Sequence, residues 1–307
     1  MSWRLIADVG GTNVRFARVI DEGNVVERSS YTVARFNSFM DALRYYAEET
    51  GGLGGCSGAA IGAAGPVSHG STRLTNIAWT IHEAEVAAEI GAACTLLNDV
   101  EAAAYCLPSL ASSEFILLGD QAPNFETAHR FLAANIGTGF GAATLLKFAG
   151  EWFSSPSEAG HISLPLPEGY EARLRPRFKS VEHVLSGRGL SNLHAALGDD
   201  QSAYQAEEIC TRSASEPKFA ATLKLFTQVA GEALGNLALA VAAWDGVFLF
   251  GSVAKGFVQC ADHALFREAF ENKGPMNEWM RRTPVALVVK EDAALFGLAA
   301  LPIRPRP

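Results

Sequence analysis

Residues 3–20, WRLIADVGGTNVRFARVI, set two β-rich runs on either side of the Gly10-Gly11 pair. This is the pattern of strand, tight turn and strand, not of a strand leading into a helix. Residues 129–148, HRFLAANIGTGFGAATLLKF, repeat it: an apolar run, a glycine-rich turn containing Thr138, and a second apolar run. The chain therefore carries one architectural unit twice.

Working outward, a strand is expected near 25–31, a helix near 38–49, a strand over 59–63, a helix near 82–90 and a short strand at 95–97. Beyond these come a strand at 115–118, a helical stretch from about Ser180, and a long helix from about Glu216 to Trp244. Phe219, Leu223, Phe226, Ala230 and Leu234 recur along that helix at helical spacing and form a core stripe. Gly231 and Gly235 interrupt it, which close packing explains. The strands GVFLFG and PVALVV and a last helix near 292–301 complete the pattern. Alternating strands and helices give an α/β protein with mixed sheets.

With 307 residues, 49% of them hydrophobic and 19% charged, the chain supports more than one core. A net charge of −8 repels nucleic acid and anionic lipid, which leaves a small-molecule partner. No continuous apolar run suits a membrane span, and Met1 runs almost at once into a strand, so a cytoplasmic protein is expected. Cys56, Cys94, Cys106, Cys210 and Cys260 are scattered without CxxC spacing and read as reduced core residues.

Four constellations carry chemistry. Asp8, Gly10, Gly11, Thr12 and Asn13 offer bare backbone N–H groups and a hydroxyl to phosphate oxygens, with Asp8 placed to hold Mg²⁺ through water. An ordinary hairpin with a surface Asp is the competing reading. Gly137, Thr138 and Gly139 match that first turn, and the spacing GTGFG before a strand is not a dinucleotide fingerprint. Asn98 and Asp99 sit where a strand gives way to a helix. Both are good N-caps, but a carboxylate held ionised there by the helix dipole is also placed to accept a hydroxyl proton. Glu158 and His161 share one Ser/Pro/Gly loop and offer the acceptor and donor that vicinal hydroxyls require. Glu182, in the first turn of an expected helix, says little alone.

Together these residues resemble the bacterial glucokinase family, in the zinc-free branch of the actin-like ATPase and hexokinase superfamily. The matching segments are DVGGTNVRFA, GPV with TNIAW, LLNDVEAAAY, NIGTGFG, SEAGH, VEHVLSGRGL, GEALGNLAL, GVFLFG and FENKG, in family order from Ala7 to about Leu298.

The resemblance implies a two-lobed, ribonuclease H-like sugar kinase fold with a mixed sheet in each lobe and an active-site cleft between lobes. A small lobe would span 1–109, with a C-terminal helix about 298–307 packing back on it, and a large lobe 110–297. It implies ATP-dependent phosphorylation of glucose, with another hexose, or a non-catalytic sugar-binding regulator, as alternatives. Asp99 falls on the catalytic base. Asn98, Asp99, Glu158, His161 and Glu182, with Asn76 and Gly65, fall on or close to sugar-binding positions. Asp8, Gly10, Gly11, Thr12, Asn13, Gly137, Thr138 and Gly139 fall on the phosphate loops, and Gly251 and Ser252 on the adenine-side turn. There Gly251-Ser252 departs from the family's Gly-Gly. Family membership also implies a homodimer.

Overall fold

The computed structural model describes residues 2–75, 77–198 and 204–302, so Asn76 lies outside the described residues. The chain divides into two compact units, Met1–Pro108 with Glu291–Pro307, and Ser109–Lys290. The returning segment thus begins at Glu291, ahead of the last helix and earlier than about 298.

The first unit contains β1 (Trp3–Val9), β2 (Asn13–Ile20), β3 (Asn24–Thr32), α1 (Phe39–Glu49), β4 (Cys56–Ala63), β5 (Val67–Ser68), β6 (Ser71–Arg73), β7 (Thr80–His82), α2 (Glu83–Ile90), β8 (Cys94–Asn98) and α3 (Asp99–Ala104). Its main sheet runs β3-β2-β1-β4-β8. The first three strands are antiparallel neighbours, whereas β4 and β8 continue parallel to β1. Trp3, Leu5, Ala7 and Val9 alternate along β1 into one core, with Phe39 and Leu43 of α1 and Val86 and Ile90 of α2. Ile6 is equally buried but lies on the opposite face. A sheet carrying parallel strands needs helices on both faces, and the α3 side supplies the second cover. Phe16 and Tyr46 stack in the α1-side core with ring centroids 5.1 Å apart.

The second unit contains β9 (Phe115–Leu117), β10 (Arg130–Ile136), β11 (Phe140–Phe148), β12 (Glu151–Ser157), α4 (Glu171–Leu174), α5 (Gly187–Leu197), α6 (Ala206–Arg212), α7 (Pro217–Val241), β13 (Val247–Phe250), α8 (Ser252–Cys260), α9 (His263–Glu271), α10 (Asn277–Arg282) and β14 (Val285–Val288). Its sheet order is β12-β11-β10-β13-β14-β9. Apart from the edge strand β9, this repeats the first unit: an antiparallel run of three strands, then two strands parallel to the first. The duplication visible in the two hairpins extends over five strands.

Every residue of the α7 stripe named above is buried. A Cβ on Gly231 would lie 2.5 Å from the Phe266 carbonyl oxygen, and one on Gly235 2.6 Å from that of Phe270, so both glycines let α9 cross α7 closely. The helix ends at Val241 rather than near Trp244, because Ala242 takes a left-handed φ of 53°. No α-helix opens at Ser180. Val181–His183 is a 3₁₀ turn, and α5 starts only at Gly187, where the Ser186 hydroxyl accepts the Gly189 N–H. The supposed loop around Ser154–Ser157 is the end of β12. Cys94, Cys106 and Cys210 are buried as expected, but Cys260 at the end of α8 is exposed.

The final helix, α11 (Ala293–Ala300), belongs to the first unit and packs on β1, β4 and α3. A Cβ on Gly297 would fall 1.9 Å from the Ala102 carbonyl oxygen, and one on Gly62 of β4 2.7 Å from the Ala102 Cβ. Helix α3 is therefore gripped on two sides by glycines that leave it no slack. Among the described residues no helix is long and apolar enough to cross a membrane.

Candidate active site

In the first unit the candidate residues collect at the carboxyl ends of the parallel strands, where α/β sheets bind ligands. Register sets Asp8 beside Gly62, and Ala63 beside Asn98, so β1, β4 and β8 end together. Asn98 caps α3 twice over. Its side-chain oxygen accepts the Val100 N–H at 2.9 Å, and its own N–H donates to Glu101 at 3.2 Å. Its amide nitrogen donates to the Gly65 carbonyl at 3.1 Å, which ties the GPV segment to the helix start. A Cβ on Gly65 would sit 2.9 Å from the Arg73 carbonyl oxygen, so this glycine is a packing requirement.

Asp99 is the first residue of α3, largely enclosed yet with an accessible edge. Its Oδ1 accepts the Val100 N–H at 2.9 Å. Burial, and next the negative charge on Asp8, push its carboxyl up from 3.8 to about 6, against the hydrogen bonds from Val100 and Asn98. A base with a pKa near operating pH suits proton transfer from a hydroxyl.

Asp8 has its own counter-ion. Arg15 lies directly opposite across the β1–β2 hairpin, and its Nη1 donates to Asp8 Oδ2 at 2.9 Å. Arg15 Nε also lies 3.8 Å from Asp292, just ahead of α11. Burial raises the Asp8 carboxyl, partly offset by the Arg15 charge and hydrogen bond. Arg15 escaped the sequence reading, although hairpin register around Gly11-Thr12 pairs it with Asp8. With Oδ2 engaged, Oδ1 accepts no hydrogen bond among the described residues. Among the described residues no cluster of three His, Cys, Asp or Glu side chains is arranged to hold a metal. A single carboxylate with water and phosphate fits Mg²⁺, which keeps several waters.

The turn closing this hairpin joins Gly10 N–H to the Asn13 carbonyl at 2.9 Å. Gly10 has no left-handed φ, and a Cβ there would find ordinary room, 3.5 Å from the Asn13 oxygen. Among the described residues nothing demands glycine here, whereas a ligand approaching the bare backbone would. Gly11 is half-buried and Thr12 exposed beside it.

In the second unit Gly137 likewise has space for a Cβ, its nearest neighbour the Asn135 side chain at 3.7 Å. Gly137 N–H donates to the Gly139 carbonyl at 3.0 Å, and Thr138 projects exposed between them. Gly139 is different, since a Cβ there would meet Glu182 Oε2 at 2.5 Å. At the neighbouring strand end Gly251 has a φ of 101°, and a Cβ would strike Asn135 Oδ1 and the Ile136 carbonyl oxygen, each at 2.4 Å. Gly251 is obligatory, and Asn135 is a second residue missed by the sequence reading. Ser252 is the first residue of α8, exposed and helical, so the departure from Gly-Gly costs no backbone strain.

Glu158 precedes the 3₁₀ turn Ala159–His161, and the His161 N–H donates to its carbonyl at 3.0 Å. Both side chains are well exposed, His161 Nε2 lying 3.8 Å from Glu158 Oε2. Glu182 is half-buried, and its Oε2 accepts the Phe140 N–H at 2.9 Å. The candidates thus form two sets: Asp8 to Asn13, Gly65, Asn98 and Asp99 in one unit; Gly137 to Gly139, Glu158, His161, Glu182, Gly251 and Ser252 in the other.

The fold is that of the actin-like sugar kinases. A solved glucokinase from an Antarctic psychrotroph superposes with a TM-score of 0.83 at 29% identity, over 98% of each chain. A ROK family glucokinase from Streptomyces griseus, solved with glucose and AMPPNP, shares the fold at a TM-score of 0.65 and 19% identity, over 97% of this chain and 98% of that one. The family model for glucokinase matches residues 5–303, and the glucokinase of Nitrobacter hamburgensis is 32% identical over 98% of both chains. The chain belongs to the glucokinase family.

Proposed function

We propose that this protein transfers the γ-phosphoryl group of ATP to the primary hydroxyl of D-glucose, giving glucose 6-phosphate, with Asp99 as the general base. The observation that carries the reading is the Asp99 carboxylate. It stands at the start of a rigidly gripped helix and is tuned by burial and Asp8 to about 6, the range in which a carboxylate both ionises at neutral pH and accepts a proton usefully. Phosphoryl transfer otherwise asks for positioning and charge stabilisation.

Asn98, Gly65, Glu158, His161 and Glu182 would hold sugar hydroxyls, with Asp99 deprotonating the nucleophile as it attacks. The backbone at Gly10, Gly11, Thr12 and Asn13, and at Gly137, Thr138 and Gly139, would donate to the phosphates, with Gly251 and Ser252 towards the adenine end. Mg²⁺ would neutralise phosphate charge when bound, and Asp8, oriented by Arg15, is the residue suited to hold its water shell. Homodimeric assembly in the cytoplasm belongs to the same reading and rests on family membership; sedimentation velocity tests the dimer.

The deciding experiment is a coupled ADP-release assay across glucose, mannose, fructose, glucosamine and N-acetylglucosamine. Sugar-dependent release with the highest kcat/KM on glucose is expected. Release independent of sugar, or a clear preference for another hexose, would overturn the assignment.

A further inference from the structure

We infer that Glu182 is a positioning residue that joins the sugar loop to the nucleotide turn, so that glucose and nucleotide bind with positive coupling. The inference rests on the sugar and nucleotide assignments proposed above. Its basis is the way the Gly137–Phe140 turn is held. Glu182 Oε2 takes the Phe140 N–H at 2.9 Å, at the point where the turn enters β11. The other end is held by the same segment, because the Ser186 hydroxyl donates to the Glu182 carbonyl at 2.9 Å and caps α5, whose first residue, Gly187, donates its N–H to the Gly137 carbonyl at 2.9 Å. Six residues of chain, Glu182 to Gly187, thus bracket both ends of the turn.

The sugar loop meets the same point. Gly160, between Glu158 and His161, lies so close that a Cβ would sit 2.5 Å from the Phe140 carbonyl oxygen and 3.5 Å from the Glu182 Cβ. Phe140 is therefore held through its N–H by Glu182 and pressed at its carbonyl by Gly160, the neighbour of His161. A carboxylate has two oxygens and about four acceptor sites. Among the described residues Oε1 accepts no hydrogen bond, which leaves it for a sugar hydroxyl while Oε2 holds the turn. A sugar that fixes Oε1 also fixes Oε2, and with it the backbone that cradles phosphate. Linkage makes the effect reciprocal.

Calorimetric titration of MgADP with and without saturating glucose tests this. In the wild type, glucose should tighten MgADP at least about fivefold, the lower end of usual coupling factors. Glu182→Ala should bring that factor to within twofold. Gly139→Ala is the sharper variant, because its Cβ would lie 2.5 Å from Oε2 and evict the carboxylate from Phe140 while leaving Glu182 present for the sugar. It should still bind glucose, less tightly because Oε1 moves with Oε2, and lose the coupling. Thermal melts identify a variant that fails to fold, in which case the other decides. Wild-type coupling kept in Gly139→Ala, or glucose and MgADP binding independently to the wild type, overturns the inference. Absence of any glucose binding to the wild type would instead overturn the proposed function on which it rests.

Discussion

Replacing Asp99 by Asn should disable the enzyme and stabilise it. The carboxyl titrates near 3.8 when unfolded and near 6 in the folded chain. The folded state therefore binds the proton more tightly, and between those values stability falls as pH rises. At 1.36 kcal/mol per pH unit, the ionised carboxylate costs the fold up to about 3 kcal/mol once the pH exceeds 7, and nothing below the unfolded value. Asn removes the charge but keeps an oxygen for the Val100 N–H, so the helix start is preserved. Urea unfolding without nucleotide or Mg²⁺ should show the variant more stable than wild type at pH 7.5, the difference vanishing towards pH 4. Coupled assays should show kcat lower by at least ~10², the low end for a lost general base. Wild-type kcat/KM should fall about tenfold per pH unit below about 6, with no such limb in the residual activity of the variant. Equal stability at pH 7.5, or a kcat within tenfold of wild type, would refute the reasoning.

Glu158→Gln and His161→Ala should raise the KM for sugar far more than that for ATP, and Thr138→Val should do the reverse; steady-state kinetics showing the opposite bias would exchange the two subsites. Gly297→Ala places a Cβ 1.9 Å from the Ala102 carbonyl oxygen, so α3 must move by more than an ångström. We expect a loss of about 1–3 kcal/mol, seen as a lower Tm, together with a kcat drop of up to ~10² because Asp99 moves with its helix. Unchanged melting and turnover would show that α3 is not gripped. Ser252→Gly should shift the KM for ATP or GTP by more than twofold and leave that for glucose alone, since Ser252 is exposed at the start of α8.

The sequence revealed those parts of the fold that are local. Both hairpins announce themselves because a glycine turn and its β-rich flanks lie within one short window, and the α7 stripe because its period is helical. The three-residue strands β6 and β7 were invisible, being too short to show alternation, and β12 hid behind serines and a proline that favour a loop reading. The catalytic candidates followed from residue type at strand ends. What gives them their properties did not: the Glu182–Phe140 bond spans 42 residues, and Asp292, which lies near Arg15, is supplied from the far end of the chain. Arg15 itself was within reach, since register alone opposes it to Asp8.

The segmented first unit has a consequence for how the chain is made. Helix α11, the outer wall against α3, is synthesised only after the whole of Ser109–Lys290. At translation rates of 5–20 residues per second, the nascent β1–β8 region waits roughly ten to forty seconds for that wall. During this interval Ala102 and Ile6 lack their final cover, and Asp99 sits on a helix held from one side only. The Gly137–Gly139 turn is complete in the growing chain well before Asp99 has its support. A chain interrupted ahead of Ala293 would carry every glycine proposed to bind phosphate yet lack the helix that packs against α3 behind Asp99, so the proposed catalytic arrangement is completed last.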